Sequence, residues 1–273
     1  MASQHEGKHM RKNKTKAKLA ANQSAIGAGI AFPSPDLVEL CGVVGFDFVT
    51  FDTEHEPMGS EQVVHCIRAA EAYDMTPIVR VSRNPDLILK FMNAGAQGIH
   101  VPRCNTAADL EALVQWTRFH PLGERTFYNR GRSGDFSVGY TDTAKWAREA
   151  NEELLVIGMV EEVKALEHLG EMLAVKGVDA IHLGHMDLWQ SMGMPPDMKG
   201  IFETIDTIAT RGVAAGKHMS HTIRLTDDAV DRMGHYMRIG SRMFTISPLD
   251  FLRQGGVKLT KAFRDMEKKV HAR

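Results

Sequence analysis

The chain has 273 residues, of which 43% are hydrophobic and 25% charged, the composition of a globular protein with a sizeable core. Its 33 Lys and Arg residues against 34 Asp and Glu residues give a formal net charge of -1, which excludes a general attraction to nucleic acid or to an anionic membrane. Three scattered cysteines without a CxxC pair argue against a disulfide framework and favour a cytoplasmic location. No apolar run approaches the ~20 residues that cross a bilayer, so we expect neither nucleic-acid nor membrane partners.

The N-terminal segment is polar and basic. Residues 1–9 are expected to form a disordered tail, and residues 10–273 a single domain. The stretch 10–22 is rich in Lys and Ala, with Leu19 as its main apolar anchor. Helix formers dominate this stretch, so it favours a short solvated helix, with a nuclear-localisation-like basic run as the alternative.

From residue 25 onward, a short apolar run alternates with a polar turn and a segment of helical spacing, which is typical of βα repeats. The predicted strands are 26–32, 46–52, 77–81, 98–102, 154–160, 180–184, 218–223 and 243–247. The predicted helices that follow them are 36–41, 60–73, 85–93, 106–117, 162–172, 200–215, 226–237 and 250–270. Eight such units favour the α/β class and a single closed (β/α)8 TIM barrel over an open doubly wound sheet. The long connection 119–151 is expected to be an ordered functional loop with a short helix of its own.

Polar residues follow four of the predicted strands, at the end of a barrel where its chemistry lies. Asp52 and His55 follow the second strand, Arg80 ends the third, and Glu161 and Asp187 follow the fifth and sixth. Two carboxylates from neighbouring strands, with open positions for water and substrate, suit Mg²⁺ or Mn²⁺. The alternative role for both acids is at helix N-termini.

The sequence around Arg80 indicates an anion site. An arginine at the inner mouth of a barrel is costly unless it faces an anion, so we expect an oxyanion partner. A structural ion pair to Asp52 or Glu54 is the alternative. His55 lies three residues after Asp52, close enough for that carboxylate to fix its tautomer and raise its basicity.

Other motifs are excluded or uninformative. His218 and His221 are three residues apart on a predicted strand, so their rings point to opposite faces and do not share a metal. The HExxH, GxSxG, GxxxxGK[ST] and GxGxxG patterns do not occur, which removes the main support for nucleotide-binding and serine-hydrolase functions.

These residues, in this order, resemble the HpcH/HpaI family of class II pyruvate aldolases, which includes 4-hydroxy-2-oxoheptane-1,7-dioate aldolase and 2-dehydro-3-deoxyglucarate aldolase. The resemblance extends from about residue 12 to residue 263. The segments that carry it are 51–55 (FDTEH), 77–80 (PIVR), 95–102 (GAQGIHVP), 160–161 (VE) and 177–188 (GVDAIHLGHMDL).

The resemblance implies a divalent ion on Glu161 and Asp187 that binds the carboxylate and keto oxygen of pyruvate. It implies that Arg80 steadies the enolate oxygen and that His55, with Asp52, handles protons near the aldol hydroxyl.

The resemblance also implies contacts around the substrate carboxylate and between subunits. Backbone N–H groups of Met186 and Asp187 would hold the carboxylate. Family members are commonly hexamers whose last helix packs on a neighbour, so we expect a homo-oligomer in which helix 250–270 docks in trans.

The chain departs from the family pattern beside the expected metal. Met159 replaces a usual Gln, Asn93 replaces an Asp often found before GAQ, and GHMDLW at 184–189 replaces GPADLS. In the long loop, RTFY at 125–128 replaces R-G-x-G. We interpret these changes as a rebuilt acceptor side suited to a bulkier or more aromatic substrate, contacted by Trp189, Tyr128 and Arg130.

The sequence therefore predicts a metal-dependent carbon–carbon lyase that cleaves a 2-oxo-4-hydroxy acid to pyruvate, or a close pyruvate-type product, and an aldehyde. One alternative reaches the same enolate by decarboxylating oxaloacetate, as the related macrophomate synthase does. The other alternative is a barrel that binds a small keto acid without turnover.

Overall fold

The computed structural model describes residues 10–138 and 142–272, and the expected tail 1–9 lies outside them. Eight strands, each parallel to its neighbours, form a closed barrel in chain order, and the last strand pairs with the first. The strands are β1 Ala25–Ile30, β2 Phe48–Asp52, β3 Thr76–Arg80, β4 Gly98–Val101, β5 Leu155–Val160, β6 Ala180–Leu183, β7 His218–Thr222 and β8 Met243–Ile246. The predicted (β/α)8 barrel is confirmed.

Helices lie outside the barrel between successive strands, except for the first, which precedes β1, and the last, which follows β8. They are α1 Lys14–Ala20, α2 Pro35–Val43, α3 Ser60–Ala72, α4 Pro85–Ala94, α5 Ala107–Thr117, α6 Thr143–Glu153, α7 Val163–Glu167, α8 Leu169–Ala174, α9 His185–Ser191, α10 Lys199–Ala214, α11 Ala229–Ile239 and α12 Pro248–His271. Gly95 and Gly240, both with φ of 112°, end α4 and α11 in the left-handed conformation that favours glycine.

Two segments differ from the prediction. The predicted helix 162–172 is two short helices, α7 and α8, which meet at His168. Helix α9, directly after β6, was not among the predicted helices, because its seven residues are too few to show a clear helical period. The long connection contains a 3₁₀ helix, Arg132–Ser137, and α6, as expected of an ordered loop.

Helix α1 closes the N-terminal end of the barrel. Asn13 caps the helix by accepting from the Lys16 backbone N–H, and its side-chain amide donates to the Gln97 and Glu153 carbonyls. Leu19 is only 1% exposed and packs inside the barrel against the apolar side chains of its lower layer. The expected solvated helix is therefore wrong in one respect: one face of α1 is buried, because the open base of a barrel offers apolar surface that this helix covers.

The barrel interior changes from apolar to polar along its axis. The lower layer is a cluster of buried apolar residues, among them Phe48, Ile78, Leu155 and Ile157. Nearer the C-terminal end, the inward-facing positions carry Thr50, His100, His182, Ser220 and Thr245. A polar floor therefore lies beneath the mouth of the barrel.

Helix α12 extends from the barrel with little support from its own chain. None of its 24 residues is buried, although its sequence is amphipathic. Among the described residues, no helix combines the length and the apolar character needed to span a membrane.

Candidate active site

The C-terminal end of the barrel opens into a cavity of about 230 Å³. Residues at or beyond the strand ends form its rim, and polar side chains from deeper strand positions form its floor. The rim includes Asp52, Glu56, Arg80, Thr222 and Ser247, and the floor includes Thr50, His100, His182 and Thr245.

Asp52 and Arg80 form an ion pair at this rim. They end neighbouring strands and are register partners, so their side chains leave the sheet side by side. The Arg80 Nε donates to Asp52 Oδ1 at 3.0 Å, and Nη2 donates to Oδ2 at 2.5 Å. Burial opposes the charged form of Asp52, but the hydrogen bonds and charge of Arg80 outweigh it and keep the Asp52 pKa below its ordinary value. The ion pair to Asp52, the alternative role considered for Arg80, is therefore present.

His55 lies in the turn after β2 and is exposed. The Asp52 carboxylate accepts from the backbone N–H of His55 at 3.3 Å and does not contact the ring. The nearest carboxylate to the ring is that of Glu54, with 3.6 Å between His55 Nε2 and Glu54 Oε2. The expectation that Asp52 orients the His55 ring is thus corrected. The Asp52 carboxylate is paired with Arg80, and the carboxylate beside the imidazole is that of Glu54.

Glu161 follows β5 and is buried, with 4% of its surface exposed. Its Oε1 accepts from the backbone N–H of Arg103 at 2.8 Å. A Cβ on Gly184 would lie 2.8 Å from Glu161 Oε2, so only glycine leaves the space that this carboxylate occupies. Burial, together with the negative charges of Asp187 and Glu54, raises the pKa of Glu161 to about 7, against the opposing effects of the Arg103 N–H and Arg80.

The donors around Glu161 fit a hard divalent cation. Asp187 lies in the first turn of α9 and is exposed, and its charge acts on Glu161. Burial is the largest cause of the raised Glu161 pKa, the charges of Asp187 and Glu54 add to it, and a bound cation would offset both effects. Within residues 10–138 and 142–272, no group of three or more His, Cys, Asp or Glu side chains gathers to form a complete protein cage. Such an ion would therefore take its other ligands from water and substrate, as Mg²⁺ commonly does.

Two residues expected to bind substrate line a neighbouring cavity. Met186 and Trp189 lie on α9 and line a cavity of about 480 Å³ with Arg224 and Arg232. The Trp189 Nε1 donates to the Pro195 carbonyl at 2.8 Å, which fixes the indole against the loop that follows α9. These side chains lie next to the mouth, beside Asp187, and do not line the 230 Å³ cavity.

Tyr128 lies far from the mouth of its own barrel. A Cβ on Gly131 would lie 3.0 Å from the Tyr128 ring and 3.5 Å from the Asn93 carbonyl, which places Tyr128 beside the C-terminal end of α4. Arg125 donates to Asn93 Oδ1 at 3.2 Å in the same region. Helices in a (β/α)8 barrel end near its base, so the structure does not bring Tyr128 together with Arg80 and Glu161 in one chain.

Two floor residues, His100 and His182, were not singled out from the sequence. Both are buried, and their ring centroids are 4.7 Å apart. Each is a polar residue inside an otherwise apolar strand, in GIHV and AIHL, and this was the signal available in the sequence.

A closed barrel with acids, one arginine and a polar cavity gathered at its C-terminal mouth is the architecture of a (β/α)8-barrel enzyme. Comparison with known proteins defines the family. The chain belongs to the HpcH/HpaI aldolase/citrate lyase family, whose model matches residues 30–245. The resemblance noted in the sequence is confirmed.

Several relatives are named aldolases. Hydroxypyruvate/pyruvate aldolase of Sagittula stellata is 33% identical over 212 residues, covering 75% of this chain and 82% of that protein. 4-Hydroxy-2-oxovalerate aldolase of Novosphingobium aromaticivorans is 29% identical over 242 residues, covering 86% and 90%. Among solved structures, the citrate synthase SbnG aligns with a TM-score of 0.80 at 28% identity, covering 92% of this chain and 98% of that chain.

Proposed function

We propose that the protein is a divalent-metal-dependent aldolase that cleaves a 2-oxo-4-hydroxy acid to a pyruvate-type product and an aldehyde. The observation that carries the proposal is the buried Glu161 carboxylate, whose pKa is raised to about 7 and which feels the charges of both Asp187 and Arg80. A buried carboxylate with a second acid nearby, beside a fixed guanidinium, suits a cation and an enolate-type anion sharing one mouth. The names of the related aldolases support the same substrate class.

Glu161 and Asp187 would hold the ion, which we propose to be Mg²⁺, Mn²⁺ or another hard divalent cation. Bound there, it would supply a Lewis acid for the keto oxygen of a 2-oxo acid. Met186 and Asp187 are in the first turn of α9, where backbone N–H groups have no partner inside the helix. We assign the substrate carboxylate to these N–H groups.

Arg80 would combine the two roles considered for it, an ion pair with a rim carboxylate and contact with a substrate oxyanion. Asp52 accepts from Nε and Nη2 and so fixes the plane of the guanidinium. Nη1 is then left to donate to the oxygen on which negative charge develops, and a donor fixed in advance stabilises that charge most effectively. His55, exposed beside Glu54, would exchange the proton of the aldol hydroxyl with solvent.

We also propose that the enzyme is a cytoplasmic homo-oligomer, a hexamer by family resemblance. Its three cysteines, all buried free thiols, suit a reducing compartment. Large apolar side chains are exposed along α12, which suits a helix that packs on another subunit. They are Leu249, Phe251, Leu252, Val257, Leu259, Phe263, Met266 and Val270. Tyr128 would contribute to substrate binding only at the mouth of a neighbouring copy.

The test is pyruvate release from a panel of 2-oxo-4-hydroxy acids, with Mg²⁺ or Mn²⁺ and with chelator. We expect turnover that chelator abolishes and that Glu161→Gln removes together with metal binding. Glu162→Gln is the matched control, because Gln still accepts the hydrogen bond that Asn105 donates to Glu162. Turnover that withstands chelator would overturn the metal assignment. Turnover of oxaloacetate alone would favour the decarboxylase, and keto-acid binding without any turnover would favour a non-catalytic barrel.

A further inference from the structure

A second cavity lies at the base of the barrel, at the opposite end from the mouth. Its volume is about 320 Å³, within the range of roughly 300–1,000 Å³ that small-molecule sites occupy. Gln97 comes directly before β4 and Leu154 directly before β5, so this part of the lining lies where the two strands begin. The proposed active site uses none of the residues that line this cavity.

Much of the cavity wall is apolar. The apolar side chains are Met10, Met92, Ala96, Trp146, Ala150 and Leu154. A ligand that fills the cavity would therefore need an apolar body.

Arg125 brings a positive charge to this wall. The residue is only 8% exposed, and its Nη2 donates to Asn93 Oδ1 at 3.2 Å. Its guanidinium carbon lies 4.5 Å from the centre of the Phe119 ring, which covers one face of the group but offers no hydrogen-bond acceptor in its plane. Nε is fully enclosed, whereas Nη1 is not among the enclosed atoms and makes no hydrogen bond within residues 10–138 and 142–272. Nη1 is therefore the donor that a ligand in the cavity can reach.

No carboxylate of the described residues balances the charge of Arg125. Burial, and then the positive charge of Arg118, lowers the pKa of Arg125 to about 10, so the guanidinium stays charged at neutral pH. Asp135 also lines the cavity, but its charge is not among those that act on Arg125. A buried charge is costly unless it is paired, so this site would gain from a bound anion.

The acids Glu71 and Glu153 in the lining are already paired. Glu71 accepts from Arg132 and lies 2.8 Å from Arg11 Nη1, and Glu153 lies 2.7 Å from Lys12 Nζ. One positive charge is thus left over, which matches a ligand with one negative charge. A dianion such as hydrogen phosphate would bring a second negative charge toward these two glutamates.

We propose that the cavity at the base binds an organic monocarboxylate with an apolar body, whose carboxylate accepts a hydrogen bond from Arg125 Nη1. This site is separate from the mouth, and the proposal does not depend on the aldolase function. Binding would add the missing acceptor and the missing charge in one step.

The test uses benzoate, with benzamide as a neutral compound of the same shape. We expect benzoate, but not benzamide, to raise the Tm of the protein in a saturable way, because a ligand that binds only the folded state stabilises it. Arg125→Met should abolish this response. Asn93→Asp supplies a carboxylate beside Nη2, so it should raise the Tm of the ligand-free protein and weaken benzoate binding in calorimetry by about tenfold or more.

Asn22→Asp is the matched control for Asn93→Asp. Asn22 Oδ1 also accepts from an arginine, Arg242 Nε at 2.9 Å, but both residues are exposed and neither lines the cavity. We expect Asn22→Asp to bind benzoate as the wild type does. Because Asn93→Asp keeps Arg125 in place, it decides the question even if Arg125→Met does not fold.

Benzoate could also bind at the mouth, so Arg80→Gln is measured in parallel and should keep the response. A response that Arg80→Gln removes and Arg125→Met keeps would place the ligand at the mouth and overturn the proposal. Equal responses to benzoate and benzamide, or unchanged benzoate affinity in Asn93→Asp, would overturn it as well. Phosphate that binds as tightly as benzoate would refute the need for a single charge and an apolar body.

Discussion

Alanine at position 184 would press directly on the carboxylate that we assign to the metal. A Cβ there would lie 2.7 Å from Glu161 Cβ, 2.8 Å from Glu161 Oε2 and 2.4 Å from Met159 Cε. Met159 Cε is the end of a flexible side chain and can move away, whereas Glu161 Cβ is attached directly to the backbone at the end of β5. The backbone angles of Gly184, φ -87° and ψ 90°, suit any residue, so the effect is steric and not conformational.

The magnitude follows from these contacts. Carbon atoms pack best at about 3.5–4.0 Å, so Glu161 has to move by about 1 Å. A displacement of about 1 Å in a reacting group costs roughly 10²-fold in rate, and overpacking lowers the free energy of unfolding by about 1–3 kcal/mol. We therefore expect Gly184→Ala to lose about 10²-fold in kcat/KM and to bind Mn²⁺ more weakly.

Steady-state kinetics, Mn²⁺ calorimetry and urea unfolding measure these effects. Gly200→Ala is the control, because a Cβ added at that position would meet no atom within 4 Å and stability should not fall. The double variant Gly184→Ala/Met159→Ala should recover neither stability nor metal affinity, because the contact with Glu161 remains and the loss of the buried Met159 side chain leaves a cavity. Wild-type kinetics and Mn²⁺ affinity in Gly184→Ala would refute the reasoning, because they would mean that Glu161 does not need the space beside Gly184.

Three further changes test the Glu161 site, the base of the barrel that α1 covers, and helix α12. The raised pKa of Glu161, from 4.5 to about 7, means that metal-free folded protein keeps a proton there that the unfolded chain releases. The free energy of unfolding should therefore fall by up to about 3 kcal/mol as pH rises from about 4.5 to 7, and urea unfolding should show a smaller fall in Glu161→Gln; equal falls would contradict it. Leu19→Ala should lower the free energy of unfolding by about 2–4 kcal/mol, because this buried side chain fills the base, while Lys14→Ala on the exposed face should change it by less than about 0.5 kcal/mol. Phe263→Asp should reduce the mass measured by light scattering, and an unchanged oligomer would count against α12 as the contact between subunits.

The fold was predictable because its signals are local. Most strands are short apolar runs, and glycines such as Gly95 and Gly240 mark helix ends through their positive φ. The polar residues after the strands were predictable for the same reason, since parallel strands of a barrel deliver their C-terminal ends to one mouth. Family membership and the aldolase class came from the resemblance to the HpcH/HpaI family that segments such as FDTEH and PIVR carry.

The contacts within the site were not predictable from spacing. Asp52 pairs with Arg80, 28 residues away, instead of orienting the nearby His55 ring, because strand register decides which side chains meet. Tyr128 lies on a loop that returns to the base of the barrel, and no local sequence pattern predicts that course. The roles of Glu161 and Asp187 as metal ligands stay predictions that the chelator experiment tests.

Helix α1 covers the N-terminal end of the barrel, and this end is completed later in folding than the rest. Asn13 bonds to the carbonyls of Gln97 and Glu153, which are 84 and 140 residues further along the chain. These contacts form only after β4 and α6 have reached their places, so α1 is among the last elements to take its final position. Weakening the contacts of α1 should consequently accelerate unfolding more than it slows folding. Helix α1 and its cap Asn13 would thus set how long the barrel, once folded, stays folded.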